Sequence, residues 1–201
     1  IDEVRVYNRA LTADEIKRLY KIGSTFVVNK TRKDTLNEGL VGHWSFDGPD
    51  VLNQTDGGQI ALDRSGNNNN GELTNGPKRA IGKIGQALEF DGVDDWVDGG
   101  SSSSLNNLTQ MSVSAWIKPV AITNPNMAIA VKGRDDECQF DSGWAFFLHN
   151  ESGLPNNLVF CGHYDSGGST AANMTQRLSS SNTINTGVWQ HVAVTWDGTK
   201  P

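Results

Sequence analysis

An all-β fold, two antiparallel sheets packed as a jelly-roll sandwich with one short N-terminal helix, follows from three features of this 201-residue chain. From Gly39 onward, short runs of alternating apolar and polar residues recur, each with the period of a half-buried strand. Clusters of Gly, Asn, Asp and Ser separate them, as turns separate the strands of a sandwich. No helix of useful length is predicted after Gly23, and only the first 22 residues carry one.

The opening stretch, IDEVRVY, alternates with Val4 and Val6 on one face and Ile1, Glu3, Arg5 and Tyr7 on the other, which predicts a strand. A helix follows. Thr12 and Glu15 have the Thr-x-x-Glu spacing of a capping box, and Leu11 and Ile16 are placed to close a hydrophobic staple over its first turn. Its apolar side is Ile16, Leu19 and Tyr20. Residues 23–38 carry charge and little periodicity, so they read as a linker holding at most one short strand. Beyond it, LVGHWSF places Leu40, Trp44 and Phe46 on one face of a strand. MSVSAWIK turns Met111, Val113, Ala115 and Ile117 inward and Ser112, Ser114, Trp116 and Lys118 the other way. WAFFLHN and NLVFCGHY flank the turn ESGLPN as a hairpin. In VWQHVAVTW, Val188, Val192, Val194 and Trp196 form the inner face, opposite Trp189, His191, Ala193 and Thr195.

Composition narrows the function classes. A hydrophobic fraction of 36% can fill one sizeable core, and a net charge of −6 without a basic cluster argues against nucleic acid as a partner. A cation or a neutral polar partner suits it better. No apolar run approaches the roughly 20 residues of a membrane span. No basic-then-apolar leader precedes Ile1, so the chain reads as a fragment or processed product. Cys138 and Cys161 flank the hairpin, where they form either a local disulfide in an oxidising compartment or two buried thiols. Five Asn-x-Ser/Thr triplets, starting at Asn29, Asn53, Asn107, Asn150 and Asn173, become glycan acceptors only in a eukaryotic secretory pathway.

The runs LVGHWSFDG, ALDRSGNNNNGEL, GKIGQALEFDGVDDWVD, MSVSAWIKP and GVWQHVAVTWDGT stand in the order found in laminin-G-like, concanavalin-A-like jelly-roll modules. Together they cover most of Gly39 to Pro201, and IDEVRVYNRAL resembles the closing strand of the same kind of module. The resemblance divides the chain into a closing strand and exit helix (1–22), a linker (23–38) and a C-terminally incomplete module (39–201). It implies a secreted or cell-surface module, often calcium-bound and often part of a tandem array. It also implies that Val4 and Val6 pack into a module core, either within the chain as a permuted closing strand or in a neighbour as a strand-swapped dimer.

Three sites follow. In DRSGNNNNG, Asp63, Ser65, Asn67 and Asn69 place oxygens at alternate positions, which suits a hard cation such as Ca²⁺, although an Asn-rich turn with no ion uses the same residues. The resemblance adds Asp2, where such modules tie this loop to the closing strand. In EFDGVDDWVD, Glu89 and Asp94 fall on the Glu-x-Asp-x-x-Glu spacing of retaining glucanases, with Asp one methylene short at the last position. Sugar binding needs an exposed aromatic plane with polar partners, for which Trp116, Trp189 and Tyr164 are the candidates, while Trp44 and Trp196 belong to the core. The four histidines, His43, His149, His163 and His191, have no zinc spacing, and GKIGQA leads into a strand rather than a helix, which excludes a phosphate loop. The expected function is a non-catalytic extracellular carbohydrate-binding or adhesive module with structural calcium. A structural spacer or protein-binding adhesin repeat is the alternative, and a glycoside hydrolase the third.

Overall fold

A computed structural model describes residues 1–22, 35–106, 108–123, 126–133, 143–151, 154–163, 174–179 and 182–198. Strand β1 (Asp2–Tyr7) lies between β2 (Leu40–Trp44) and β9 (Met111–Ile117), antiparallel to both, and β14 (Gln190–Trp196) completes this sheet beyond β9. A second sheet runs β10 (Asn126–Lys132), β11 (Trp144–Glu151), β12 (Leu154–His163) and β13 (Met174–Leu178). A third, of shorter strands, runs β3 (Val51–Asn53), β4 (Gln59–Ala61), β5 (Gly71–Thr74) and β8 (Trp96–Asp98). The ribbon of β6 (Lys78–Ile81) and β7 (Gln86–Glu89) stands beside them.

One apolar cluster joins the first two sheets. Val4, Val6, Met111, Val113, Ala115, Ile117, Val192 and Trp196 meet Trp144, Phe146, Leu148 and Phe160, and Trp44 closes the side as the sequence predicts. This is the core of an antiparallel sandwich, in which alternate residues of each strand interdigitate across about 10 Å. The hairpin of β11 and β12 is present, with Trp144 opposite Gly162 and Leu148 opposite Leu158.

The helix α1 (Ala13–Ile22) has its capping box: the Glu15 N–H donates to Thr12 Oγ1 (3.3 Å) and the Thr12 N–H to Glu15 Oε2 (3.0 Å). Arg9 pairs with Glu15 through its two terminal guanidinium nitrogens, and that pairing, more than any other contact, holds the Glu15 carboxyl well below its ordinary range. The helix covers the outer face of the first sheet. Tyr7, Leu11, Leu19 and Leu36 form a satellite cluster there, and Ser112 Oγ accepts the Leu11 N–H while donating to Arg9 C=O.

Three sequence readings change. All seven residues of β9 are buried, Ser112, Ser114 and Trp116 included, because their face meets the N-terminal segment and not water. Leu40 packs with the satellite cluster rather than with Trp44 and Phe46. Val188 precedes β14 and is 50% exposed, so it does not continue the inner row of Val192 and Val194. Residues 23–34 of the expected linker lie outside the described residues, and Thr35–Asn37 forms a 3-10 turn that buries Leu36.

Candidate functional site

The loop after β4 is built around Asp63. Its Oδ1 accepts the His43 N–H (2.9 Å) and the Ser65 N–H (2.8 Å), and its Oδ2 accepts the Ser65 hydroxyl (2.7 Å) and the Asn69 N–H (3.0 Å). Both carboxylate oxygens are therefore occupied by donors of the chain itself. The asparagines turn their NH₂ groups inward: Asn67 Nδ2 reaches Leu40 C=O (3.2 Å), and Asn69 Nδ2 reaches Val41 C=O (2.6 Å) and Ser104 Oγ (2.9 Å). Asn68 and Gly66 take the left-handed backbone, at φ of 58° and 89°, which Asn and Gly adopt at little cost.

Several of these bonds reach the outer edge of β2, and the rest brace the loop itself or tie it to Ser104. As the outer strand of its sheet, β2 presents unpaired N–H and C=O groups that another chain could join. The loop meets the His43 N–H with Asp63, His43 C=O with the Arg64 N–H (2.8 Å), and Val41 C=O with Asn69 and Ser65. Alternate oxygens on a turn serve here as an edge cap.

Asp2 lies elsewhere. Its Oδ2 accepts the N–H groups of Lys83 (2.8 Å) and Ile84 (2.9 Å) in the turn between β6 and β7. A Cβ on Gly82 of that turn would come within 2.8 Å of the same oxygen, so glycine leaves room for the carboxylate. Asp63 bonds to His43, which faces Arg5, and Asp2 is three residues along β1 from there, roughly 10 Å at the rise of a strand. The five residues predicted as calcium ligands are thus not one cluster, and the Asp63 loop does not fit a cation without surrendering four donors. Asp2 Oδ1, buried and without a hydrogen-bond partner, is the one carboxylate oxygen of the set left open. Burial is the main cause that pushes the Asp2 carboxyl up from 3.8 to about 6.

The aromatic candidates separate as well. Trp116 is 3% exposed, stacked under Tyr20 of α1 (centroids 5.6 Å apart) with His191 at its edge and Lys83 Nζ 5.0 Å over its ring. It offers no face to a sugar. Trp189 is half-buried ahead of β14, and Tyr164 lies outside the described residues. The exposed indole is Trp96, 49% exposed on β8, the outer strand of the third sheet. Val97 beside it packs on the core, so alternation sends Trp96 outward. The pattern DDWVD carried that signal, an aromatic residue out of step with a valine.

In the turn that leads into Trp96, one carboxylate oxygen each from Asp91, Asp94 and Asp95 lie within 4.8 Å of one another. Asp91 Oδ1 accepts the Val93 N–H (2.8 Å), Asp95 Oδ2 accepts the Asp91 N–H (2.9 Å), and Asn75 Nδ2 donates to Asp94 C=O (2.7 Å). Glu89 lies outside this group, exposed on β7 opposite Lys78. Two hollows lie beside α1, one lined by Arg9, Glu15 and Arg18 and the other by Arg5, Tyr7 and His43, and neither of these two includes Glu89 or Asp94.

A laminin G family model described as the concanavalin A-like lectin/glucanases superfamily matches residues 91–200. The chain belongs to this superfamily. The match spans Trp96, the three aspartates of the turn before it, β9 and β14, and begins after Asp2 and Asp63. No curated protein matches the chain, and no solved structure does. Among the described residues no helix is long and apolar enough to cross a membrane. Cys161 is disulfide-bonded, and Cys138 lies outside the described residues.

Proposed function

We propose that this module binds a glycan on the surface around Trp96 and acts outside the cell as a non-catalytic recognition repeat. The observation that carries the reading is the half-exposed indole on an outer strand with carboxylates in the turn that leads into it. A pyranose lays its C–H face on an aromatic plane, and its hydroxyls need acceptors and donors at the rim. Asp91, Asp94 and Asp95 supply acceptors, and Asn75 holds their loop against β5. The superfamily contains lectins, which favours sugar as the ligand. A disulfide at Cys161 favours an oxidising, extracellular setting.

Non-catalysis belongs to the same reading. A retaining glucanase holds two carboxyl groups about 5 to 5.5 Å apart across a sugar-sized cleft. Glu89 is exposed on β7, paired across the ribbon with Lys78, and Asp94 lies in the turn before β8, so neither carboxyl is a buried group of the kind an acid/base catalyst needs. If the module holds calcium, Asp2 Oδ1 is the open carboxylate oxygen of the predicted set that a cation would use.

Glycan-array binding with and without chelator tests the proposal, with Trp96→Ala as the decisive variant. It should lose at least tenfold in affinity and keep the parent's melting temperature, because the side chain is half in water. Equal binding by parent and variant sinks the site. No binding to any glycan by a correctly folded parent favours the spacer or protein-binding adhesin reading.

A further inference from the structure

The slot that β1 fills is a recognition site in its own right. We propose that the β1–α1 segment of a second copy of this chain can occupy it, giving a strand-exchanged dimer at high concentration. Residues 1–22 are held to the rest of the molecule by strand pairing, core packing and side-chain bonds at several points. Arg5, Val6 and Tyr7 pair with Ser114, Val113 and Ser112 of β9, and Val4, Arg5 and Val6 with Trp44, His43 and Gly42 of β2. Val4 and Val6 enter the main core. Asp2 is received by two N–H groups of the turn at Lys83 and Ile84, Ser112 clamps Arg9 and Leu11, and Tyr20 lies on Trp116.

This pattern is specific to one segment in one register. A slip by a single residue would take both valines out of the core and withdraw Asp2 from its donors. An empty slot would leave β2 and β9 as facing edges over an open core, so something must fill it. Residues 23–34 join the segment to the body. Twelve residues span at most about 40 Å, on the scale of the module itself, whose radius of gyration by length is about 17 Å. A neighbour's slot is within reach, and exchange keeps every contact above. What changes is mass action: the tether sets an effective concentration on the order of millimolar, and exchange competes as protein concentration approaches it.

The test separates the two arrangements covalently. Arg5 and Ser114 are direct strand partners, so Arg5→Cys and Ser114→Cys are made in separate chains, unfolded together with the native disulfide intact, and refolded at rising concentration. Oxidation should yield a cross-linked dimer in the mixture in excess of either variant alone, its share growing with concentration. The double variant refolded dilute should close within one chain and run as a monomer. Light scattering of the unaltered chain, refolded at the same concentrations, gives a readout independent of how the variants fold, and should show a dimer. A mixture that cross-links no more than its components, with an unaltered chain monomeric up to about 1 mM, overturns the proposal.

Discussion

Val6→Ala probes whether the N-terminal strand is part of the working core. Val6 is 2% exposed, faces Gly42 on one side and Val113 on the other, and packs in the cluster that joins the two main sheets. The substitution removes two buried carbons, about 1.6 kcal/mol of burial at 0.8 per carbon. The space left cannot close freely between two paired strands, which brings the total to roughly 2–3 kcal/mol. For a chain of this size the melting temperature should fall by roughly 5–10 °C. Urea unfolding followed by tryptophan fluorescence measures it, with the midpoint moving and the slope unchanged. Val188→Ala is the control, since at 50% exposure it should cost no more than about 0.5 kcal/mol. If the two variants unfold at the same urea concentration, β1 does not sit where the structure places it, and the exchange proposal falls with it.

Burial beneath α1, with Arg5 nearby, lowers the His191 imidazole from 6.5 to about 4, and Tyr20 and Trp116 are its aromatic neighbours. A folded value below the unfolded one means the neutral ring contributes stability above about pH 6.5 that is lost as pH falls toward 4. His191→Gln should flatten that part of the stability profile, and an NMR titration midpoint near 6.5 in the parent would refute the burial. Asp63→Ala strips acceptors from the edge cap and should cost about 2 kcal/mol, by the same amount with and without chelator. A chelator-dependent cost would return the cation to that loop. Asp2→Asn tests calcium directly: if chelation lowers the parent's melting temperature, it should leave this variant's unchanged.

Particular elements show how far sequence patterns reach. The capping box of Thr12 and Glu15 and the inward row Met111, Val113, Ala115 and Ile117 were legible because each depends on contacts a few residues apart or on the two-residue period of a strand. Trp116 was misread on the same rule. Alternation states which face a side chain takes, but not whether that face meets water, and α1 buries it. The Asp63 loop shows a similar limit, since Asp, Ser and Asn at alternate positions offer oxygens to a cation or to backbone donors alike. Which they meet depends on what lies opposite, and here it is the edge of β2.

Local spacing by itself determined the all-β class, the helix start and the composition of the core, because these rest on short-range periodicity and on the bulk of apolar residues. Only the tertiary structure decided that β1 lies between β2 and β9 and that Asp2 belongs to the turn at Lys83 and Ile84. Those outcomes join residues from about 40 to more than 100 positions apart. No local pattern encodes such a pairing, because its energy comes from burying one surface against another that the chain meets only when folded.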